Sequence, residues 1–289
     1  MALFKVSITG GKGGTGKSTV AVNLAVFLSR RMDLVLADLD VEAPNDHILL
    51  GVELQNKEDV HVMIPFFNYE KCTKCGICAD ICDNGAIMMT FEKLPMLIPS
   101  LCSGCKACMY ACRDKAIAEG KRLVGYTYRT EVNNEFSLVT GLMIEGEERA
   151  FPLVLAAHDR ALSLNKSLLL VDTSAGSSNT VSYALEGSDL IIAVTEPTPL
   201  GASDLSLILE LVEKIGCKAW VVINKAGIGS DEHVKEVVSK FDVDEVFKVP
   251  YSREVAESYV EGKPLAILSP NSRSCLSIRE IAEAIEEVV

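Results

Sequence analysis

Two cysteine runs of identical spacing, Cys72-x-x-Cys75-x-x-Cys78-x-x-x-Cys82 and Cys102-x-x-Cys105-x-x-Cys108-x-x-x-Cys112, constrain this chain more than any other feature. Three cysteines on a tight turn with a fourth close behind is metal-ligand spacing. In a reducing compartment such thiolates stay available to a metal instead of closing into disulfides. The runs also form an internal repeat, because Cys82-Asp83-Asn84-Gly85-Ala86-Ile87 parallels Cys112-Arg113-Asp114-Lys115-Ala116-Ile117. Between about Val62 and Val124 there is no long helical or strand period, and Pro95 and Pro99 stand between the runs. Each half is too small to hold a core of its own, so metal binding must supply most of the folding energy of the stretch. Zinc modules seldom repeat three cysteines at this spacing plus a fourth, which favours iron over zinc.

The flanking sequence behaves differently. Apolar runs of strand length alternate with segments of helical period, the pattern of a doubly wound, mostly parallel α/β sheet. Strands are predicted at Phe4–Thr9, Leu34–Asp38, Leu168–Asp172, Leu190–Thr195, Ala219–Asn224 and Glu245–Val249. Helices are predicted at Lys17–Arg30, Ala202–Ile215, Glu232–Lys240, Arg253–Glu261 and Ile278–Val288, the last with a capping box from Ser277 to Glu280. Tyr126 to Phe151 alternates enough for a strand hairpin. Residues 1–61 and 124–289 thus read as one α/β domain, with 62–123 inserted into one of its loops. The longest apolar runs have strand length and cannot span a bilayer. Met1 to Ile8 reads as a strand, not as an export signal. A cytoplasmic protein with no membrane partner is expected.

Charge is unevenly spread. The net charge is -12, yet between Lys71 and Arg122 eight basic residues face five acidic ones, leaving this segment at +3 and the rest at -15. Two four-thiolate cubanes would bring about -4, which the basic side chains can neutralise. The same charge also suits docking of an acidic redox or cluster-donor partner. The acidic remainder argues against nucleic acid, whose phosphates need a basic face.

After the first strand comes Gly11-Lys12-Gly13-Gly14-Thr15-Gly16-Lys17-Ser18-Thr19, followed by a helical segment. This is a phosphate-binding loop: unpaired backbone N–H groups surround phosphate oxygens at a helix N-terminus, Lys17 neutralises the outer phosphates, and Ser18 is placed to ligate magnesium. Lys12, the extra lysine at the start of the loop, is the mark of a deviant Walker A motif. Here the chain resembles the MinD/ParA/Mrp ATPases, P-loop NTPases of the SIMIBI type.

The resemblance implies roles for further residues. Asp38-Leu39-Asp40-Val41-Glu42-Ala43-Pro44-Asn45 looks like the first switch, in which Asp40 positions the attacking water and Asp38 lies near magnesium. Val171-Asp172-Thr173-Ser174-Ala175-Gly176 looks like the second, with Asp172 holding a magnesium-bound water and Gly176 near the γ-phosphate; relatives often have two prolines where Ser174 and Ala175 stand. Asn224 and Pro250, followed by Lys225 and Tyr251, match segments that contact adenine. In this family Lys12 reaches the phosphates of a second subunit, which implies a nucleotide-dependent homodimer. Phosphoryl transfer requires positioning and charge stabilisation, and no nucleophilic side chain is evident.

The cysteine runs are similar to those of bacterial two-cluster ferredoxins, in which the fourth cysteine of each run serves the other cluster. That likeness implies two [4Fe-4S] clusters in a small α+β ferredoxin-like insert, one on Cys72, Cys75, Cys78 and Cys112, the other on Cys102, Cys105, Cys108 and Cys82. Asp83 and Arg113 stand where ferredoxins usually have proline. Of the remaining cysteines, Cys217 precedes a buried strand and reads as a core residue, whereas Cys275 sits in a polar stretch that reads as an exposed loop. The C-terminal Cys-x-x-Cys of Mrp-type carriers is missing.

The leading expectation is an ATPase that gates electron transfer or cluster delivery through its ferredoxin insert, with magnesium, ATP and two clusters as its cofactors. The alternatives are a MinD-like positioning switch with redox-sensing clusters and a purely structural role for the metal.

Overall fold

The structure, a computed structural model, describes residues 3–289. They divide into two compact units, one of residues up to Glu58 with Tyr126–Leu142 and Leu153–Val289, the other of Asp59–Gly125 with Met143–Pro152. The second unit thus takes in a short segment, 143–152, that sequence pattern does not attach to the cysteine runs.

In the first unit, strands β1 (Phe4–Thr9), β2 (Leu34–Asp38), β7 (Phe136–Met143), β8 (Leu168–Asp172), β9 (Leu190–Thr195), β10 (Lys218–Ala226) and β11 (Glu245–Pro250) lie in the order β11-β10-β9-β1-β8-β2-β7. Every neighbouring pair is parallel. A parallel sheet covered on both faces needs apolar residues at successive positions, and β9 supplies them. Leu190, Ile192 and Val194 join one core with α1 (Lys17–Leu28) and α11 (Arg273–Val288), while Ile191 and Ala193 join the other with α7 (Pro199–Ile215). Strand β7 is reached through a hairpin from β6 (Ile117–Val132), whose turn holds Asn133 and Asn134 in the left-handed region (φ 50 and 57). Asparagine tolerates that conformation, so the turn is encoded locally.

All six predicted strands are present, and four of the five predicted helices begin within three residues of their expected start. The C-terminal helix is the exception. It begins at Arg273, and Ser272, whose side chain accepts from the Cys275 N–H, is its N-cap, so Ser277 lies within the helix and the expected capping box does not form. The extra turn carries Cys275 into the core, where it is fully buried instead of exposed in a loop. Helix α5 (Phe151–Leu162) was not foreseen.

The second unit has far less regular structure. Apart from β3 (Glu58–Phe67) and the first half of β6, it consists of two short helices, α3 (Ile77–Asp80) and α4 (Ala107–Ala111), and a hairpin of β4 (Ile87–Met89) and β5 (Pro95–Leu97). Its cluster of buried apolar side chains is Ile87, Cys108 and Ile117, with Cys78, Cys82 and Cys112 packed against them.

Candidate functional site

In the first unit the site residues come from the C-terminal ends of parallel strands, where an open α/β sheet presents its loops together. Gly10–Gly16 follows β1, Asp38–Asn45 follows β2, Asp172–Gly176 follows β8, Asn224 lies at the end of β10 and Pro250 ends β11. A cavity of about 570 Å³ opens there, lined by Gly13, Gly14, Gly16, Lys17, Ser18, Thr19, Asp40, Asn45, Leu49, Asn224, Lys225, Pro250 and Tyr251, with Val255, Ala256 and Tyr259 on its apolar side. That volume suits a nucleotide-sized ligand. Helix α1 starts at Lys17 with Gly16 as a left-handed N-cap (φ 93) and no side-chain cap, so its first N–H groups remain free to bind an anion. Glycine is obligatory at Gly16 for a second reason, since a Cβ there would lie 2.1 Å from the Asn224 amide nitrogen.

The two switch segments meet through register. Asp38 on β2 pairs with Asp172 on β8, so the two carboxylates project from the same face of adjoining strands. Asp38 accepts the N–H groups of Asp40 (3.2 Å), Asn45 (3.0 Å) and Asp46 (3.1 Å), which folds the first switch around its side chain. Ser18 donates to Asp172 Oδ2 at 2.5 Å. Sequence reasoning missed Asp46. It is fully buried, and its carboxylate comes within 4.8 Å of those of Asp38 and Asp172. Both Asp46 oxygens and Asp172 Oδ1 lack a hydrogen-bond partner. Burial, then the neighbouring carboxylates, pushes Asp38 and Asp46 well above the ordinary carboxylate range, and burial raises Asp172 to about 7 despite Ser18 and Lys17. Buried carboxylates with unpartnered oxygens suit a hard divalent cation such as magnesium. The available signal for Asp46 was an acidic residue directly after Asn45.

Asp40 lines the cavity, and its carboxyl is raised by burial while Lys17 pulls it down. Gly176 donates its N–H to the Gly10 carbonyl at 3.0 Å, tying the second switch to the P-loop. Asn224 donates to the Thr15 carbonyl at 2.7 Å and accepts from the Lys225 N–H, so it braces the loop as well as lining the cavity. Lys12 forms an ion pair with Glu196 at 3.6 Å, and Glu196 also holds Lys225 at 2.5 Å. Glu196 went unnoticed in the sequence because nothing marks an acidic residue after β9 as a partner for Lys12.

In the second unit the eight cysteines converge as two sets of four. Cys72, Cys75, Cys78 and Cys112 line one cavity, and Cys82, Cys102, Cys105 and Cys108 line another. Each set therefore takes its fourth member from the other run. The backbone repeats with the sequence: the central cysteine is flanked by left-handed residues in both runs, Lys74 and Gly76 in the first, Gly104 and Lys106 in the second. The fourth cysteines accept equivalent N–H···S bonds, Ala86 to Cys82 at 3.3 Å and Ala116 to Cys112 at 3.2 Å. Burial, then neighbouring Cys102 and Cys105, raises the Cys108 thiol to about 11, and burial also raises Cys78. Metal cations among the sulfurs would bring these two thiols into the thiolate form. All ten cysteines are free of disulfides. Cys217, half-buried, donates to the Ser188 carbonyl at 3.0 Å.

Comparison with known proteins agrees with this geometry. Residues 6–265 match the family model of the CobQ/CobB/MinD/ParA nucleotide binding domain. The chain belongs to that family. An uncharacterised protein of Methanocaldococcus jannaschii is 33% identical over 98% of this chain and 95% of its own length. An iron-sulfur cluster carrier protein of Synechocystis is 44% identical over 70 residues, 22% of this chain and 20% of the carrier. Among solved structures, the septum site-determining protein MinD of Pyrococcus horikoshii, complexed with Mg-ADP, superposes with a TM-score of 0.63 at 18% identity, covering 99% of this chain and 97% of MinD. As a member of this family the chain has the P-loop NTPase fold. Among the described residues no helix is long and apolar enough to cross a membrane.

Proposed function

We propose that the protein is an ATPase that couples its nucleotide state to electron transfer or cluster delivery through two [4Fe-4S] clusters. One observation carries the reading: a chain with a P-loop cavity and a buried carboxylate cluster also closes eight cysteines into two four-thiol cavities. Partial likeness to cluster carriers supports the iron–sulfur half. Electron transfer is favoured over delivery, because Cys102 and Cys108 are buried and the sites have a full ligand set, which suits retention of a cluster.

Within this reading, Lys17 and the uncapped N–H groups of α1 hold the phosphates, and Asp40 orients the attacking water from within the cavity. Ser18, Asp172, Asp38 and Asp46 would hold magnesium, which supplies charge neutralisation of the phosphates when bound. Val255, Ala256 and Tyr259 offer apolar cover to the base, beside Asn224 and Pro250. Lys12, released from Glu196, would reach the nucleotide of a second copy, making the working form a nucleotide-dependent homodimer. The other partner is a redox or cluster-exchange protein, with acidic character matching the basic segment from Lys71 to Arg122.

Anaerobically prepared protein should contain about eight irons per chain. Cys82→Ser should disturb the cluster of Cys102, Cys105 and Cys108 and spare that of its sequence neighbours. Zinc in place of iron, or spectroscopic loss of the cluster on Cys72, Cys75 and Cys78 instead, would overturn the assignment.

A further inference from the structure

The two four-cysteine sites arise from one repeat and share ligand spacing, left-handed flanking residues and N–H···S bonds. They differ in burial. Cys102 and Cys108 are buried, whereas Cys72 and Cys78 are half-buried. Reducing a four-thiolate cubane takes its charge from about -2 to about -3. Desolvation resists that added charge, so the deeper site would by burial alone be the harder to reduce.

Outside the repeat, the segment 143–152 brings a group to the deeper site only. Arg149 donates through Nη1 to the carbonyl of Cys102, and through Nε to Glu147 Oε1 at 3.2 Å. Its Nη2 is buried and has no hydrogen-bond partner. Glu147, with its side chain only 2% exposed, is also held by Arg122 Nη2 and accepts the N–H groups of Glu148 and Arg149. Burial alone would raise the Glu147 carboxyl, but hydrogen bonds from Arg149 and Arg122 bring it down to about 2. Two guanidinium groups on one permanent carboxylate leave a net charge of +1. At the shallower site, the residues lining the cavity beside the cysteines include Thr73 and Asp114, joined by a 2.7 Å hydrogen bond, which adds no positive charge. Lys74 precedes the central cysteine of its run and Lys106 follows that of the other, so the two are not equivalent; Lys106 lines the deeper site, but its ion pair with Glu119 at 2.9 Å offsets its charge.

We propose that Arg149, fixed by Glu147, is the positive charge that offsets the deeper burial of the Cys82, Cys102, Cys105 and Cys108 site and raises the reduction potential of the cluster there, and of that cluster alone. Its role is positioning of charge: the guanidinium stabilises the electron that an external reductant delivers, and it ligates nothing. The inference rests on the two-cluster reading above. A charge brought from outside the repeat lets one ligand scaffold, used twice, serve two depths without leaving the deeper cluster out of reach of the shallower one.

The test is an anaerobic redox titration with dithionite, followed by electron paramagnetic resonance, on the full-length protein and its Arg149→Met and Arg149→Lys variants, with iron content measured in parallel. Arg149→Met should move one midpoint to more negative potential and leave the other in place, with iron unchanged. Arg149→Lys, which keeps the charge but loses the fork, should move the same midpoint less. Unchanged midpoints, or equal shifts of both, at full iron content would overturn the role of Arg149 while the two-cluster reading stands. A wild-type protein without iron–sulfur signals would instead sink that reading and the inference with it. If Arg149→Met assembles less iron, Arg149→Gln, which removes the charge but keeps a hydrogen-bond donor, decides: a selective shift supports the inference and none overturns it.

Discussion

In the first unit the candidate site residues hang from the ends of five of the seven parallel strands, whose cores bury Leu36, Leu170 and Ile192 completely. In the cysteine unit the sulfurs are themselves core: Cys108 is one of three buried members of its cluster, and Cys78, Cys82 and Cys112 pack around it. A fully buried Leu or Ile contributes about 1.5–3 kcal/mol, and the first unit has dozens of buried apolar residues. It can hold its site ready before any ligand arrives. The second unit has too little apolar area for that, so its folding is expected to depend on what its cysteines bind.

The largest effect should come from removing iron. After chelation, amide exchange across 59–125 and 143–152 should rise towards that of an unfolded chain, while β1, β8 and β9 stay protected and ATP still binds. Persistent protection in the cysteine unit without iron would break the comparison. Within the nucleotide unit, effects should be chemical and local. Asp40→Ala should lower hydrolysis by about 10²–10⁴-fold, as expected for a lost water-orienting group, with little change in ATP affinity. Lys17→Ala should weaken ATP binding itself by about 100-fold, the order of a lost charge-assisted contact. Calorimetry of binding beside phosphate-release rates separates the two, and equal hydrolysis by wild type and Asp40→Ala would remove Asp40 from the mechanism.

Acid should also tell the units apart. His158 in α5 is buried with neither ring nitrogen hydrogen-bonded, and it packs edge-on against Tyr183 at 5.6 Å. Burial, then the charge of Lys5, lowers it to about 4, while Asp159 opposes. Lys5 itself, lowered to about 8 by burial despite Glu186 and Asp189, stays charged throughout the acid range. A base with a depressed native pKa contributes stability above its unfolded value and loses it as pH falls, here between the ordinary histidine value of 6.5 and about 4. Asp38, Asp46 and Asp172 act in the opposite sense, since carboxyls raised in the native state favour folding as pH falls. The informative quantity is therefore the difference between wild type and His158→Phe. That difference should shift against the wild type across this window by on the order of 1 kcal/mol, and a pH-independent difference would mean that His158 does not titrate on unfolding.

What could be read from sequence follows the same division. The P-loop, the switch aspartates and the parallel strands are encoded by local patterns, and those residues line or border one cavity. The crossed grouping of the cysteines was legible through likeness to ferredoxins. Asp46, Glu196 and Arg149 were not legible, because each acts through a partner far away in sequence: Asp46 with Asp172, Glu196 with Lys12, Arg149 with Cys102. No periodicity records such pairs. The start of α11 was misread for a milder reason, since Ser272 and Ser277 both precede plausible helical stretches and only packing of Cys275 in the core favours the earlier cap.

The smallest expected effect is the coupling between the units. The chain passes from the first unit to the second at Glu58, after the switch at Asp38–Asn45, and the last return, at Leu153, precedes the switch at Asp172. Both candidate switch segments are thus joined along the chain to the cysteine unit. If ATP alters the clusters through these joins, linkage requires that cluster oxidation state alter ATP affinity by the same factor. Coupling energies of about 1 kcal/mol, at the low end of those known, correspond to roughly fivefold. ATP affinity should be measured on oxidised and dithionite-reduced Asp40→Ala protein, in which the nucleotide stays intact. An affinity difference of this size, matched by an equal shift in cluster midpoint on adding ATP, would join the two units into one machine. Equal affinities, with midpoints that ignore nucleotide, would leave two independent devices on one chain, and the gating reading would have to be abandoned even if every iron and every phosphate contact were in place.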